Sequence, residues 1–389
     1  MSSTATLSVE TSLAEIDARA WDALNPTGFP FVSHAFLYTL ESTGCLGADH
    51  GWYPHYLCVR DEQGVLLAGA ASYVKTNSYG EFVFDHAWAD AWERAGGAYY
   101  PKLVLSCPYT PATGPRLLVH PTAENPAALR NLLADALVQL SRQLKLSGTH
   151  ALFTTDADAP AFRHAAYVQR TDVQYHWHNR DYASFSNYLE ALNSRKRKNV
   201  RRERQQVVDQ GIELVWRHGG TLSDAEWQHV HHLYASIYER KWGVPSLTSD
   251  FFATIGQRMP ETSHVVFAYD KRADDTAVAC AILFSGGDAL YGRYWGCRSQ
   301  YRALHFEACY YQGINYCIEN QLSLFEPGAQ GEHKIARGFL PTFTTSWHKL
   351  NDDRFQEAVS DYLAQETPAV RRHHAALTAT SPYRKSDGC

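Results

Sequence analysis

The chain of 389 residues exceeds what one ordinary hydrophobic core holds and suits two domains. Apolar side chains make up 45% of it, with 23 Tyr and 10 Trp, which excludes a disordered protein. The net charge of -5 excludes a general polyanion binder, and the lack of any run of about 18 apolar residues argues against a membrane-spanning helix.

Met1 to Glu10 is polar, with neither the basic patch nor the apolar core of a signal peptide. Ser33 to Ser42 predicts a helix capped by Ser33. Pro54 to Arg60 reads as a strand, Asp61 to Gly64 as a turn and Val65 to Lys75 as the returning strand. A turn at Asn77 to Gly80 leads into a third strand, Glu81 to Phe84, completing a meander. A helix over Pro126 to Leu146 and a strand over His150 to Thr155 follow.

The same order returns further on. Ser223 to Lys241 predicts a helix, with Trp227, Val230, Tyr234, Ile237 and Tyr238 on one face. The second meander is Ser263 to Tyr269, a turn over Lys271 to Asp275, Thr276 to Phe284, and Ala289 to Trp295. A helix over Leu304 to Glu319 and a strand over Leu322 to Glu326 close it. Helix–β–β–β–helix–β thus appears twice, which predicts an α/β fold with mixed sheets covered by helices. The expected domains are 1–185 and 186–389. The tail beyond Thr378, through Lys385, is expected to fray.

Between the repeats, residues 195 to 204 hold seven cations and one anion: Arg195, Lys196, Arg197, Lys198, Arg201, Arg202 and Arg204, with Glu203. This local +6 leaves the remainder at -5 - 6 = -11. A helical arm over 186 to 210, stopped by Gly211, would carry it. Clustered cations repel, so a nearby polyanion is the physical rationale: tRNA, a nucleotide pyrophosphate or an anionic membrane surface. A merely solvated face is the plainer alternative.

Eight cysteines include no C-x-x-C pair, and several lie in apolar stretches. Buried reduced thiols, and with them a cytoplasmic location, are expected. No metal site is expected. His229, His231 and His232 do not share one helix face, and no H-E-x-x-H occurs.

Long phrases carry a family resemblance: Phe29 to Leu37, Tyr99-Tyr100-Pro101-Lys102, Pro108 to Leu118, and above all Phe325-Glu326-Pro327-Gly328-Ala329-Gln330-Gly331-Glu332-His333-Lys334 with Ala336 to Phe339. Over roughly residues 7 to 377 the chain resembles the FemAB-like N-acyltransferases, a bacterial family also described as peptidoglycan biosynthesis or recognition proteins. The resemblance implies tandem GNAT-like domains and relatives that move aminoacyl groups from charged tRNA to amines. The usual acyl-CoA loop of that superfamily carries glycines. Arg298 to Leu304 carries none, which speaks against ordinary CoA binding there.

Acyl transfer to an amine needs a proton acceptor, oxyanion stabilisation and a proton for the leaving group. His305 and Glu307 at a helix start are candidate bases, against the plainer reading that they cap and complement the helix dipole. The loop from Glu326 to Arg337 adds Glu326 and Glu332 as candidate catalytic carboxylates, and His333, Lys334 and Arg337 as candidate substrate ligands. Tyr294 and Arg116 are further candidate ligands, the latter in the proline-bearing loop Cys107 to Arg116. The expectation is an N-acyltransferase without a tightly bound cofactor. Aminoacyl-tRNA or acyl-CoA would be the donor, and a small-molecule or peptide amine the acceptor. The alternative is a non-catalytic protein of the same fold that recognises tRNA or a cell-wall precursor.

Overall fold

The computed structural model describes residues 5–240, 243–273, 276–329 and 331–384. Lys241, Asp275, Gln330 and Lys385, which figure in the expectations above, lie outside them, as do Met1 to Thr4 and Cys389. Thirteen strands follow in chain order among the described residues: β1 (Thr6–Glu10), β2 (Trp52–Arg60), β3 (Leu66–Lys75), β4 (Lys102–Leu105), β5 (Leu118–Val119), β6 (Gly148–Ala151), β7 (Val168–His178), β8 (Ile212–His218), β9 (Ser263–Asp270), β10 (Ala277–Gly286), β11 (Ala289–Cys297), β12 (Leu324–Glu326) and β13 (Leu340–Leu350).

The chain forms two compact units. The first is Met1–Asp172 with Phe343–Arg372, and the second is Val173–Thr342 with His373–Cys389. The expected boundary was a single cut at 185/186. Here Phe343–Arg372 is counted with the first unit.

In the first unit β1, β2, β3 and β4 pair antiparallel in turn, and β5 adds to β3. Then β6 lies parallel to β4, and β13 runs antiparallel to β6. Alternation sorts the two faces. Leu57, Leu103, Leu105, Ala151 and Trp347 share one apolar core with Leu133 and Leu137 of the helix Pro126–Gln143. The register Trp52–Lys75–Lys102 and Val104–His150–His348 runs along the opposite face.

That opposite face is buried and charged. The Lys102 ammonium lies 2.7 Å from Glu81 and 2.6 Å from Asp85, and all three side chains are buried. The Tyr99 hydroxyl also donates to Asp85, at 2.6 Å. Burial works against the Asp85 charge, but Lys102 prevails and holds its carboxyl well below the ordinary range. Burial raises Glu81 and holds His150 down to about 3. Drawing Glu81 inward explains one departure from expectation. Residues 81–84 form no strand, Phe82 takes the left-handed φ of 58°, and Phe82 and Phe84 face solvent. The third strand of the meander is β4, reached through the helix His86–Arg94.

In the second unit β8, β9, β10 and β11 form an antiparallel meander, β12 lies parallel to β11, and the end of β7 pairs antiparallel with β12. The helix Asp224–Glu239 starts on a reciprocal cap between Ser223 and Glu226. The expected arm over 186 to 210 is two helices, Phe185–Ala191 and Ser194–Asp209. Leu192 is extended between them, and the Asn193 side chain accepts from the Lys196 N–H to restart the helix. Gly211 follows the second helix at φ 77°, a conformation glycine adopts without Cβ strain.

Candidate functional site

The site grows from two irregularities in neighbouring strands. The pairing of β10 with β11 slips between Ile282 and Leu283, so Arg293 is an extra residue bulged out of register. The parallel pairing of β11 with β12 ends at Tyr291 opposite Glu326. Beyond it β12 ends at Glu326, and β11 continues with β10 as its one neighbour in the pairing among the described residues. A cavity of about 100 Å³ sits at this point, lined among others by Arg293, Tyr294, Trp295, His305, Cys309 and Tyr310.

His305, Cys309 and Tyr310 come from one helix, Leu304–Phe306 continuing through a π-turn, Glu307–Tyr311, into Gln312–Glu319. Such turns are rare and recur at functional sites. Ala303, at the start of this helix, holds a left-handed φ of 60°. The His305 ring stands edge-on to Trp295 and Tyr310. Burial, helped by His333, Lys334 and Arg337, lowers its pKa to about 4, so the ring is neutral at pH 7. Burial pushes the Cys309 thiol well up, so it is no thiolate nucleophile.

Lys334 is the unusual group. It lies in a short helix, Glu332–Arg337, and is 2% exposed. Its ammonium donates to the Gly328 carbonyl at 2.6 Å. Burial lowers its pKa to about 7, with Cys309 opposing and Arg293 adding to the drop. A lysine so placed takes up and gives back a proton near neutral pH. Glu326, buried at the end of β12, lies 3.9 Å from His176. Burial, with His178 and Lys334 adding, lowers the His176 pKa to about 3.

His305 and Tyr294 thus line the cavity, and Lys334, off its wall, lies close enough to feel the charge of the lining residues Cys309 and Arg293. Glu307 is buried on another side of the π-turn, where Arg204 donates at 3.1 and 3.0 Å and Gln312 at 2.9 Å. Its carboxylate neutralises a cation and is absent from the cavity wall. Arg337 is consumed as well. It forms two hydrogen bonds to Glu203, at 3.1 and 2.7 Å, and its guanidinium lies over the Phe306 ring. Glu332 stands on the surface, 3.8 Å from His373. His333 is exposed, and its ring meets the Tyr310 hydroxyl at 3.0 Å. Arg116, in the first unit, donates to the carbonyls of Leu152, Ala112 and Pro115, a structural role that leaves no open fork for an anion.

Of the basic run, Arg195, Lys198, Arg201 and Arg202 are exposed, and Lys196 and Arg197 are half-buried. Arg204 is removed from the polyanion set by Glu307. Glu203, the run's one anion, accepts from both Arg337 and the Tyr311 hydroxyl. Sequence reading missed Arg293, Cys309 and His176. Only Cys309 had a usable signal, lying four residues after His305 and so on its helix face.

Among the described residues no helix is long and apolar enough to cross a membrane, and no group of three His, Cys, Asp or Glu is placed to hold a metal. No curated protein matches the chain. Its fold recurs in solved structures. FemX superposes with a TM-score of 0.53 at 11% identity, covering 91% of this chain and 100% of its own. The C-terminal domain of a putative lysylphosphatidylglycerol synthetase from Agrobacterium fabrum gives 0.54 at 9%, covering 89% and 94%. L-PGS from Bacillus licheniformis gives 0.51 at 9%, covering 92% and 98%. A family model described as peptidoglycan biosynthesis/recognition matches residues 12–385, nearly the whole length. The chain belongs to this FemAB-like family, and its activity is FemAB-type N-acyltransfer, the movement of an acyl or aminoacyl group onto an amine.

Proposed function

We propose that the second unit transfers an acyl or aminoacyl group from aminoacyl-tRNA or an acyl thioester directly to an amine at the β11 cavity. The observation that carries this reading is Lys334, buried within electrostatic reach of the cavity-lining Cys309 and Arg293 and with a pKa near 7. The amine nitrogen attacks the donor carbonyl, forming the new C–N bond. Neutral Lys334 accepts the amine proton, and the Arg293 cation offsets the oxyanion. Collapse breaks the bond to the ribose oxygen or thioester sulfur, and Lys334 returns the proton to that leaving group. The raised Cys309 thiol supports direct transfer without an acyl-enzyme. The exposed cations Arg195, Lys198 and Arg202 favour a phosphate-bearing donor. We read the two units as a tandem of GNAT-like domains on their common order of helix, meander, helix and parallel strand.

The test follows labelled acyl transfer from charged tRNA or acyl-CoA to amine acceptors. Lys334→Met should lower kcat by about 100-fold or more with the fold intact. Glu307→Gln, made in a residue already neutralised by Arg204, should cost far less. Parent-like turnover in Lys334→Met would overturn the assignment.

A further inference from the structure

A second, larger cavity in the same unit shares no lining residue with the first. It measures about 630 Å³ and lies along the helix Ser194–Asp209. At 100° per residue, Val200 and Val207 face inward while Arg197, Arg201, Arg204, Gln205 and Val208 form one flank. Arg201, Arg204, Gln205 and Val208 of this flank line the cavity, opposite Ile212 and Leu214. Ion pairs tie down the helix that forms one wall. Glu203 holds Arg337, and Arg204 is held between Glu307 and the Phe185 ring, 4.4 Å away.

The lining combines one net cation with apolar side chains, Phe185, Leu189, Val207, Ile212 and Leu214 among them. Arg204 and Glu307 cancel, so Arg201, which forms no ion pair among the described residues, supplies the net charge. Toward the helix C-terminus the surface turns apolar, and Val208 is left 63% exposed. From Arg197 to Val208 the flank spans about 16 Å. A bare polyphosphate would gain nothing from the apolar end, and a neutral hydrocarbon nothing from the cationic one. The volume falls in the usual range for small ligands, about 300–1,000 Å³.

We infer that this groove binds a single-chain anionic amphiphile, with a phosphate or carboxylate head on Arg201 and Arg197 and an aliphatic chain along Val208, Ile212 and Leu214. The site stands whether or not acyl transfer occurs at the β11 cavity.

Calorimetric titration of the full chain with dodecyl phosphate, kept below its micelle concentration, tests this. Expected is saturable one-to-one binding, weakened at least about tenfold by Arg201→Glu and likewise by Val208→Asp. Inorganic phosphate and dodecanol should each bind at least about 100-fold more weakly. Both positions are exposed, so the variants should melt like the parent. Arg201→Gln and Val208→Ser repeat the comparison if they do not. Absence of saturable binding overturns the site. Weakening by the arginine change alone means a plain polyanion stripe, and weakening by the valine change alone a plain apolar groove. Binding confined to phosphatidylglycerol vesicles means a membrane-contact face. Each of these three results also overturns the proposal.

Discussion

Lys334 links the chemistry of the site to the stability of the fold. Its folded pKa near 7 lies below the value of about 10.4 for a free lysine. Between these values the unfolded chain binds more protons, so stability rises with pH across that window. One fully differing proton gives a slope of about 1.4 kcal/mol per pH unit. Lys75 in the first unit, lowered by burial to about 7, acts in the same direction. Buried cysteines with raised thiol pKa values, Cys58, Cys280, Cys309 and Cys317 among them, act in the opposite direction above about pH 8, so urea unfolding at about pH 7.5 and pH 9 reads the gain from Lys334 as the difference between the parent and Lys334→Met. Lys334→Met should remove about 1 kcal/mol per pH unit of that gain. An unchanged slope would mean that Lys334 is not buried as a titrating group. The sequence marked Lys334 as a cation in a glycine-bearing loop, which reads as solvated. Its lowered pKa comes from burial in the fold and from the charge of Arg293, distant in sequence, and local pattern carries no trace of either. Glu307 shows the converse. Its place near a helix start suits a base, and only the fold reveals that Arg204 reaches it.

At the scale of elements, the helix Ser194–Asp209 shows how a basic run is held on a protein. Val200 and Val207 anchor it, and the adjacent pair Glu203 and Arg204 point inward to partners of opposite sign. The Glu203–Arg337 pair is largely buried and joined by two hydrogen bonds. A double-mutant cycle on Glu203→Gln and Arg337→Met should give a coupling energy of about 1–3 kcal/mol, read from denaturant unfolding. Additive effects would show the contact to be incidental. Most elements were legible, because caps and alternation are local: Ser33, Ser223 and the β9–β11 meander stand where residue pattern puts them. The strand expected at 81–84 failed because Glu81 answers to a lysine far along the chain. The π-turn at Glu307–Tyr311 was equally invisible, since a period of 3.6 assumes an unbroken helix.

At the scale of the molecule, the first unit buries charge on one sheet face, which demands complete pairing of its strands. Removing one partner of such a buried group typically costs about 3–5 kcal/mol. Part of that face is supplied late in the chain, by β13. His348 meets His150 at 2.8 Å and Ser346 at 2.9 Å. A chain ending at residue 342 should therefore lose slow hydrogen exchange at Thr149 to Ala151, which pair with β13 in the full chain. Protection retained in that truncation would mean that the earlier strands suffice.

The 198 positions between His150 and His348 also set a clock for biosynthesis. At about 5–20 residues added per second, β6 leaves the ribosome about 10–40 s before its neighbour exists. For that interval a nascent chain displays a half-finished sheet margin with the neutral His150 side chain lacking its partner ring. The unit that begins synthesis first is thus completed only by strand β13, near the end of the chain.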